Sequence, residues 1–174
     1  YVNEDGKGRL KADPSGSPAV LVNASCLSTA DYDADGDPDV FVGGRSLPGR
    51  YGVSPRSYLL RNDGRRFTDA TPESLSRIGM VTGAAWLDVN ADRLPDLVVV
   101  GEWMPLTVFR NDRSSLSFQV SVPNSEGWWN CMTTADLDGD GDLDLVAGNW
   151  GLNTPFTASP QRPLELTLGD FDEN

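Results

Sequence analysis

The chain has 174 residues, 39% of them hydrophobic and 23% charged, with 18 Gly and 12 Pro. That is the composition of one turn-rich globular domain, long enough to bury a core without requiring metals or disulfides. It has no His and only two Cys, which excludes Ser-His-Asp and Cys-His catalysis, His-ligated zinc, a four-Cys zinc site and a disulfide framework.

The longest aliphatic run, Leu97 to Val100, is far shorter than the roughly 18 apolar residues of a membrane span. No secretory leader opens the chain, so a targeting segment is expected to have been removed or to lie outside it. The net charge of −12 is concentrated in short stretches. Residues 31–39 (DYDADGDPD) and 136–144 (DLDGDGDLD) hold five Asp each, residues 88–96 (DVNADRLPD) hold three, and the terminal DFDEN adds Asp170 and Asp172. The rest of the chain is close to neutral. Sharp acidic loops on such a body point to local cation sites, and the absence of a basic stripe argues against nucleic acid.

In chain order, the elements repeat. Tyr1–Gly6, Leu59–Gly64 and Val108–Asp112 each place an Asn/Asp/Gly turn after a hydrophobic stretch, followed by Leu10, Phe67 or Phe118, which predicts β-hairpins. Small-residue segments precede the acidic loops: Ser25–Ala30, Gly83–Leu87 and Asn130–Ala135. Strand-forming runs follow them: Val40–Gly44, Leu97–Gly101 and Leu145–Gly148. One unit thus reads strand, acidic loop, strand, variable connection, strand, tight turn, strand. Four antiparallel strands in about 50 residues is the size of a propeller blade. The only helical signal is a short turn at Glu73 to Arg77.

The fold class is therefore all-β, a β-propeller fragment of about three four-stranded antiparallel blades with cation loops between first and second strands. Residues 1–19 are expected to form the outer hairpin of a preceding blade, 20–72 and 78–122 two blades, 128–162 a reduced blade, and 163–174 the start of a next one. In the reduced blade the outer strands are expected around Phe156 and Leu164–Leu168.

The first and third loops read D-x-D-x-D-G-D-x-D. Asp31, Asp33, Asp35 and Asp39, and likewise Asp136, Asp138, Asp140 and Asp144, put carboxylates at positions 1, 3, 5 and 9, and Asp37 and Asp142 offer the position 7 carbonyl. Alternating hard oxygens on a tight loop suit Ca²⁺. Gly36 and Gly141 at position 6 permit the left-handed turn that wraps the chain around an ion. The second loop offers Asp88, Asn90, Asp92, the Leu94 carbonyl and Asp96, with Arg93 where Gly is preferred, and is expected to be the weakest of the three. Asp170, Asp172 and Asn174 begin a fourth motif without position 9. Position 12 is Val42, Val99 or Ala147 inside strand-like runs, which rejects a helical calcium sensor.

These residues resemble the FG-GAP (VCBS-type) repeat, the calcium-binding blade of the integrin α-subunit propeller. They are most similar to bacterial proteins of the ASPIC/UnbV type, through Asp39–Arg45, Pro55–Gly64, Gly101–Pro105, Gly127–Asn130 and Gly148–Asn153. The resemblance implies a β-propeller, Ca²⁺ in the loops and export to the cell surface, the periplasm or the extracellular space; it implies no reaction. Family propellers have about seven blades, so the chain is expected to be a piece of a larger protein; alone, the piece is expected to self-associate through its open ends, whereas the closed parent is expected to be monomeric.

Trp128-Trp129 and Glu102-Trp103 are read first as packing between blades and second as sugar-stacking platforms. Arg45, Arg50 and Arg56 lie in a long connection suited to ligands, where local pairing is the commoner fate. Cys26 and Cys131 fall at the same place in non-adjacent units and are expected to stay unpaired. The functional expectation is a non-catalytic, calcium-binding extracellular module for an unknown protein or glycan ligand; the alternative is a non-catalytic part of a larger surface enzyme acting on glycans or lipids.

Overall fold

Twelve strands and one short helix account for the regular structure of the computed structural model, which describes residues 1–3, 6, 8–12, 16–64, 66–151, 153–159 and 161–169. Strands β1 (Val2–Asn3) and β2 (Leu10–Lys11) pair antiparallel as a separate ribbon. A four-stranded antiparallel meander follows: β3 (Asn23–Ala30), β4 (Asp39–Ser46), β5 (Tyr58–Asn62) and β6 (Phe67–Asp69). The helix α1 (Glu73–Ser76) caps the connection. The meander then repeats as β7 (Met80–Leu87), β8 (Asp96–Met104), β9 (Thr107–Asn111) and β10 (Leu116–Ser121). A third pair, β11 (Gly127–Ala135) and β12 (Asp144–Asn149), begins the same pattern. Its first residues also border β8, through Gly127–Met104 and Trp128–Glu102.

The fold is all-β with blade-like antiparallel sheets, and among the described residues the sheets do not close into a ring. No helix of the described residues is long and apolar enough to cross a membrane. The outer strands expected around Phe156 and Leu164–Leu168 are not formed; the described residues there show only a bridge between Ser159 and Arg162. Pro155, Pro160 and Pro163 interrupt this stretch, and a proline cannot donate to a ladder. The fourth acidic motif, Asp170, Asp172 and Asn174, lies outside the described residues, as do Glu4 and Asp5 of the first hairpin.

Burial explains the strand composition. The β7 strand packs on β3 and β4, and β11 packs on β7. The middle sheet is thus covered on both faces, and Leu97–Val100 of β8 are all essentially buried. A strand buried on both sides reads as a continuous apolar run, which is how this one reads. The core joins Phe41 and Leu59 of the first unit to Val81, Leu97, Val99, Phe109 and Leu116 of the second, with Tyr32 and Leu75 between.

Small residues let the first strands approach. A Cβ on Gly43 would lie 2.5 Å from Cys26 Sγ and 2.6 Å from Val81 Cγ1, so even alanine would force the neighbouring unit away. Cys26 and Cys131 are both free. They stand in the same register, opposite Gly43 and Gly148, with β7 between their strands.

Each first strand carries a bulge at an equivalent residue, Ser25, Thr82 or Asn130. The bulge turns a hydroxyl toward the next unit. Ser25 Oγ donates to the Val81 carbonyl, and Thr82 Oγ1 donates to the Trp129 carbonyl at 2.7 Å. One bond type therefore ties unit one to two and unit two to three.

The hairpin asparagines make a second set of ties. Asn111 is fully buried. Its Nδ2 donates to the Tyr32 carbonyl of the first unit at 2.7 Å and to the Pro95 carbonyl at 3.0 Å, while Oδ1 accepts from Arg113 N at 2.8 Å. Asn62 repeats the local part, to Pro38 and from Gly64, but is half-buried. Truncation of Asn111 would leave buried carbonyls without donors. We expect Asn111→Ala to lower stability in urea unfolding by about 2–3 kcal/mol, and Asn62→Ala to cost less.

Asp112 closes the second hairpin. The Ser114 hydroxyl and the N–H groups of Ser115 and Ser114 hold its carboxyl below the usual carboxylate range. A lowered folded pKa contributes stability that is present above the unfolded value near ~3.9 and lost as pH falls through the folded value. Asp112→Asn keeps an acceptor without a titration. The acid limb of its thermal midpoint, below about pH 4, should be flatter than that of the wild type.

Candidate metal centre

The three acidic loops connect β3 to β4, β7 to β8 and β11 to β12, so they gather at one end of the sheets. Their local structure follows from their odd positions. The position 3 side chain accepts from the position 5 N–H in all three: Asp33 from Asp35 at 3.3 Å, Asn90 from Asp92 at 2.9 Å, Asp138 from Asp140 at 3.2 Å. The position 5 side chain accepts from the position 7 N–H, at 2.9 Å in each: Asp35 from Asp37, Asp92 from Leu94, Asp140 from Asp142. The position 1 aspartate accepts from the position 6 N–H: Asp31 from Gly36, Asp88 from Arg93, Asp136 from Gly141. Each loop is thus a coil of successive Asx turns wound on its first aspartate.

Winding requires left-handed backbone at two positions. Position 6 has φ of 97°, 68° and 99° at Gly36, Arg93 and Gly141. Position 4 is left-handed as well, at Ala34, Ala91 and Gly139, a requirement the sequence reading did not anticipate. Only the third loop meets both with glycine.

Position 9 does something else. Asp39 is fully buried, and its Oδ2 accepts from Tyr32 N at 3.0 Å and its Oδ1 from Asn62 N at 2.7 Å. Asp96 repeats this with Val89 N and Asn111 N, at 3.2 and 2.7 Å. Each carboxylate clasps its loop to its hairpin. Asp144 accepts from Leu137 N at 2.8 Å but is not followed by an Asn-type hairpin among the described residues. The sequence reading missed Asn62 and Asn111 as partners of the site; their recurrence after both complete loops was the available signal.

Burial pushes the Asp39 carboxyl above its usual range; the N–H groups of Asn62 and Tyr32 oppose this, and the charges of Asp33 and Asp35 add to it. Asp96 is raised the same way, by burial first and then by Asp92 and Asp88, against the N–H groups of Asn111 and Val89. At Asp88, burial is outweighed by four backbone N–H groups from Arg93, Asn90, Asp92 and Ala91, and the carboxyl is held down.

The loops differ in how closely they gather charge. Carboxylate oxygens of Asp31, Asp33 and Asp39 lie within 4.8 Å of one another, as do those of Asp136, Asp138 and Asp144. Asp35 and Asp140 stand outside these tight groups, and the N–H groups of Asp37 and Asp142 bond to them in the turn. Asp88, Asp92 and Asp96 form no such group among the described residues. In that loop Asn90 is neutral and Arg110 lies 3.6 Å from Asp92.

The donor chemistry fits a hard cation in the first and third loops. Asn at the odd positions would support the same Asx turns without charge, as Asn90 does. Unit charges at 4 Å repel by about 1 kcal/mol even in bulk water and by more near a protein surface. A carboxylate has about four lone-pair sites, so those already accepting N–H groups keep capacity for an ion.

Elsewhere, two arginines of the long connection are paired, one to the next unit and one within its own. Arg45 meets Glu102 at 2.5 Å, and Arg56 meets Asp69 at 2.7 Å while lying over the Tyr58 ring.

A family model described as FG-GAP-like repeat matches residues 31–99 and 88–147, two overlapping stretches that run from the first loop to the third and cover more than half of the chain. No curated protein matches the chain.

The second loop supplies a sharp test. Arg93 adopts a left-handed conformation that costs a non-glycine residue about 1–2 kcal/mol. Arg93→Gly should raise metal-free stability by up to about 1 kcal/mol, allowing for the greater entropy of glycine in the unfolded chain. The same change at a right-handed surface residue should not. Chemical denaturation in chelator distinguishes them.

Proposed function

The chain belongs to the FG-GAP-like repeat family, and from that premise and the geometry of its loops we propose that it is a calcium-stabilised, non-catalytic binding module working outside the cytoplasm. The observation that carries this reading is the gathering of three carboxylates within 4.8 Å in each of two loops at one end of the sheets. Asp31, Asp33, Asp35, Asp39 and the Asp37 carbonyl would hold one ion. Asp136, Asp138, Asp140, Asp144 and the Asp142 carbonyl would hold another. Asp88, Asn90, Asp92, Asp96 and the Leu94 carbonyl would form a weaker third site, because its carboxylates are fewer and Arg110 partly neutralises it. Calcium there would neutralise the loops and hold them to the hairpins, leaving the opposite end of the sheets for a ligand.

In this reading, residues 20–72 and 78–122 are full blades and 128–162 a reduced one, flanked by 1–19 and 163–174. The resemblance to ASPIC/UnbV-type and other VCBS-type proteins supports reading it as a bacterial surface or periplasmic module with integrin α-like blades. The open outer flanks, with Leu27 and Val146 exposed, serve further blades or self-association.

Calcium binds the folded loops and not the open chain, so it stabilises by linkage. A hundredfold excess over the dissociation constant is worth about 2.7 kcal/mol, which for a chain of this size is a rise of roughly 5–10 °C in thermal midpoint. Magnesium should substitute poorly, since it demands a tight octahedron. Differential scanning calorimetry with calcium, magnesium and chelator measures this; a midpoint indifferent to calcium would sink the reading.

A further inference from the structure

The end of the sheets opposite the acidic loops is built differently. The register sets Gly43, Val100 and Gly148 as equivalent residues of the three second strands. Two residues further on stand Arg45, Glu102 and Trp150. The acidic loops repeat nearly the same side chains in each unit, as a shared role demands. Here the three units diverge into a cation, an anion and an indole: the first two pair directly, and the third joins them through a stack of tryptophans.

Glu102 is only 5% exposed. Its Oε1 accepts from Arg45 of the first unit at 2.5 Å, and its Oε2 accepts from the Tyr51 hydroxyl at 2.7 Å. Tyr51 in turn accepts from Trp103 Nε1 at 3.0 Å. Trp103 is held at φ 60°, a conformation rare for a bulky side chain and one that clusters at functional sites. Its ring lies 5.3 Å from that of Trp128, which lies 4.4 Å from that of Trp150. Trp128 is thus covered on both sides and packs, as the sequence reading weighed first. Trp150 remains 43% exposed and Tyr51 51% exposed, at the two ends of the stack.

We propose that this composite surface, Trp150 through Trp128 and Trp103 to Tyr51 and Arg45, binds an oligosaccharide. An open indole face takes the apolar face of a sugar ring, and the exposed guanidinium and phenol meet its hydroxyls. The open indole and the polar rim are separated by the stack, so the ligand spans several sugar rings. A proline-rich peptide needs slots between aromatic rings. Here Trp103 and Trp150 each close on Trp128, at 5.3 and 4.4 Å between ring centres, too near to admit a residue between them. The buried Glu102 holds Arg45 and Tyr51 in place across the boundary between units and is a positioning residue. The inference rests on the binding-module reading and gives it a ligand class and a face.

The test uses the whole chain in calcium on a carbohydrate array of plant, fungal and bacterial oligosaccharides, with a peptide array in parallel. We expect retention on glycans, reduced at least about tenfold by Trp150→Ala and also reduced by Tyr51→Phe, which keeps the ring and removes the hydroxyl. Both variants should keep the wild-type calcium shift in thermal midpoint. Blank glycans with that shift intact would overturn the oligosaccharide proposal while leaving the calcium reading standing. Glycan binding untouched by both variants, or retention on peptides alone, would overturn it as well. A wild-type chain that binds glycans without any calcium shift would support the face and sink the calcium reading.

Discussion

The structure depends on a buried carboxylate that is satisfied by backbone. Asp39 and Asp96 are both fully buried. Each accepts one N–H from the second residue of its loop and one from the hairpin asparagine of its unit. Burying such a group without partners would be costly; with both oxygens bonded it locks the loop, the second strand and the hairpin into one piece. The asparagine that completes the clasp also donates to the carbonyl of the preceding proline, Pro38 or Pro95, and in the second unit to Tyr32 of its neighbour. The loop that would hold an ion is therefore not an appendage of the blade. It is fastened to the outermost turn of its own unit.

Adhesion between units rests on small residues and two hydroxyls. Gly43 of β4 admits Val81, Gly83 of the first strand β7 brings its backbone against Met132 of β11, and Ser25 and Thr82 spend their bulged positions on carbonyls of the next unit. This explains why the first strands are rich in Ser, Thr, Ala, Gly and Cys while the second strands are aliphatic. The former must approach a neighbour closely, and the latter fill the space between sheets. Burial pushes the Cys26 thiol up, so it behaves as a small apolar side chain against Gly43 and not as a nucleophile.

The two ends of the sheets divide the work. At the loop end, equivalent positions carry equivalent residues because the same turn must be wound three times. At the other end the register brings unlike residues from all three units together, and the network of Arg45, Glu102, Tyr51 and Trp103 crosses the first boundary between units. A repeat fold keeps its backbone constant and varies what it displays, so the proposed binding role falls where the units differ.

The sequence by itself determined what is local. The alternation of Asp at odd loop positions, the glycine at position 6, the Asn-Asp hairpins and the Leu97–Val100 run each follow from short-range patterns, and they yield the all-β class, the repeat and the acidic loops. Only the tertiary structure decided what depends on distant partners. Position 4 is left-handed although it is alanine in two loops, because the carboxylate at position 1 winds the chain past it. The last aspartate of a loop reads in sequence as one more ligand, yet its neighbours are backbone N–H groups, one of them from a turn 15 or 23 residues away. The outer strands of the third unit read as reduced, and among the described residues there only a bridge forms, since a proline cannot donate to a ladder. Trp128 and Trp150 are 22 positions apart in the chain and meet only because β11 and β12 pair in register, which no local pattern records.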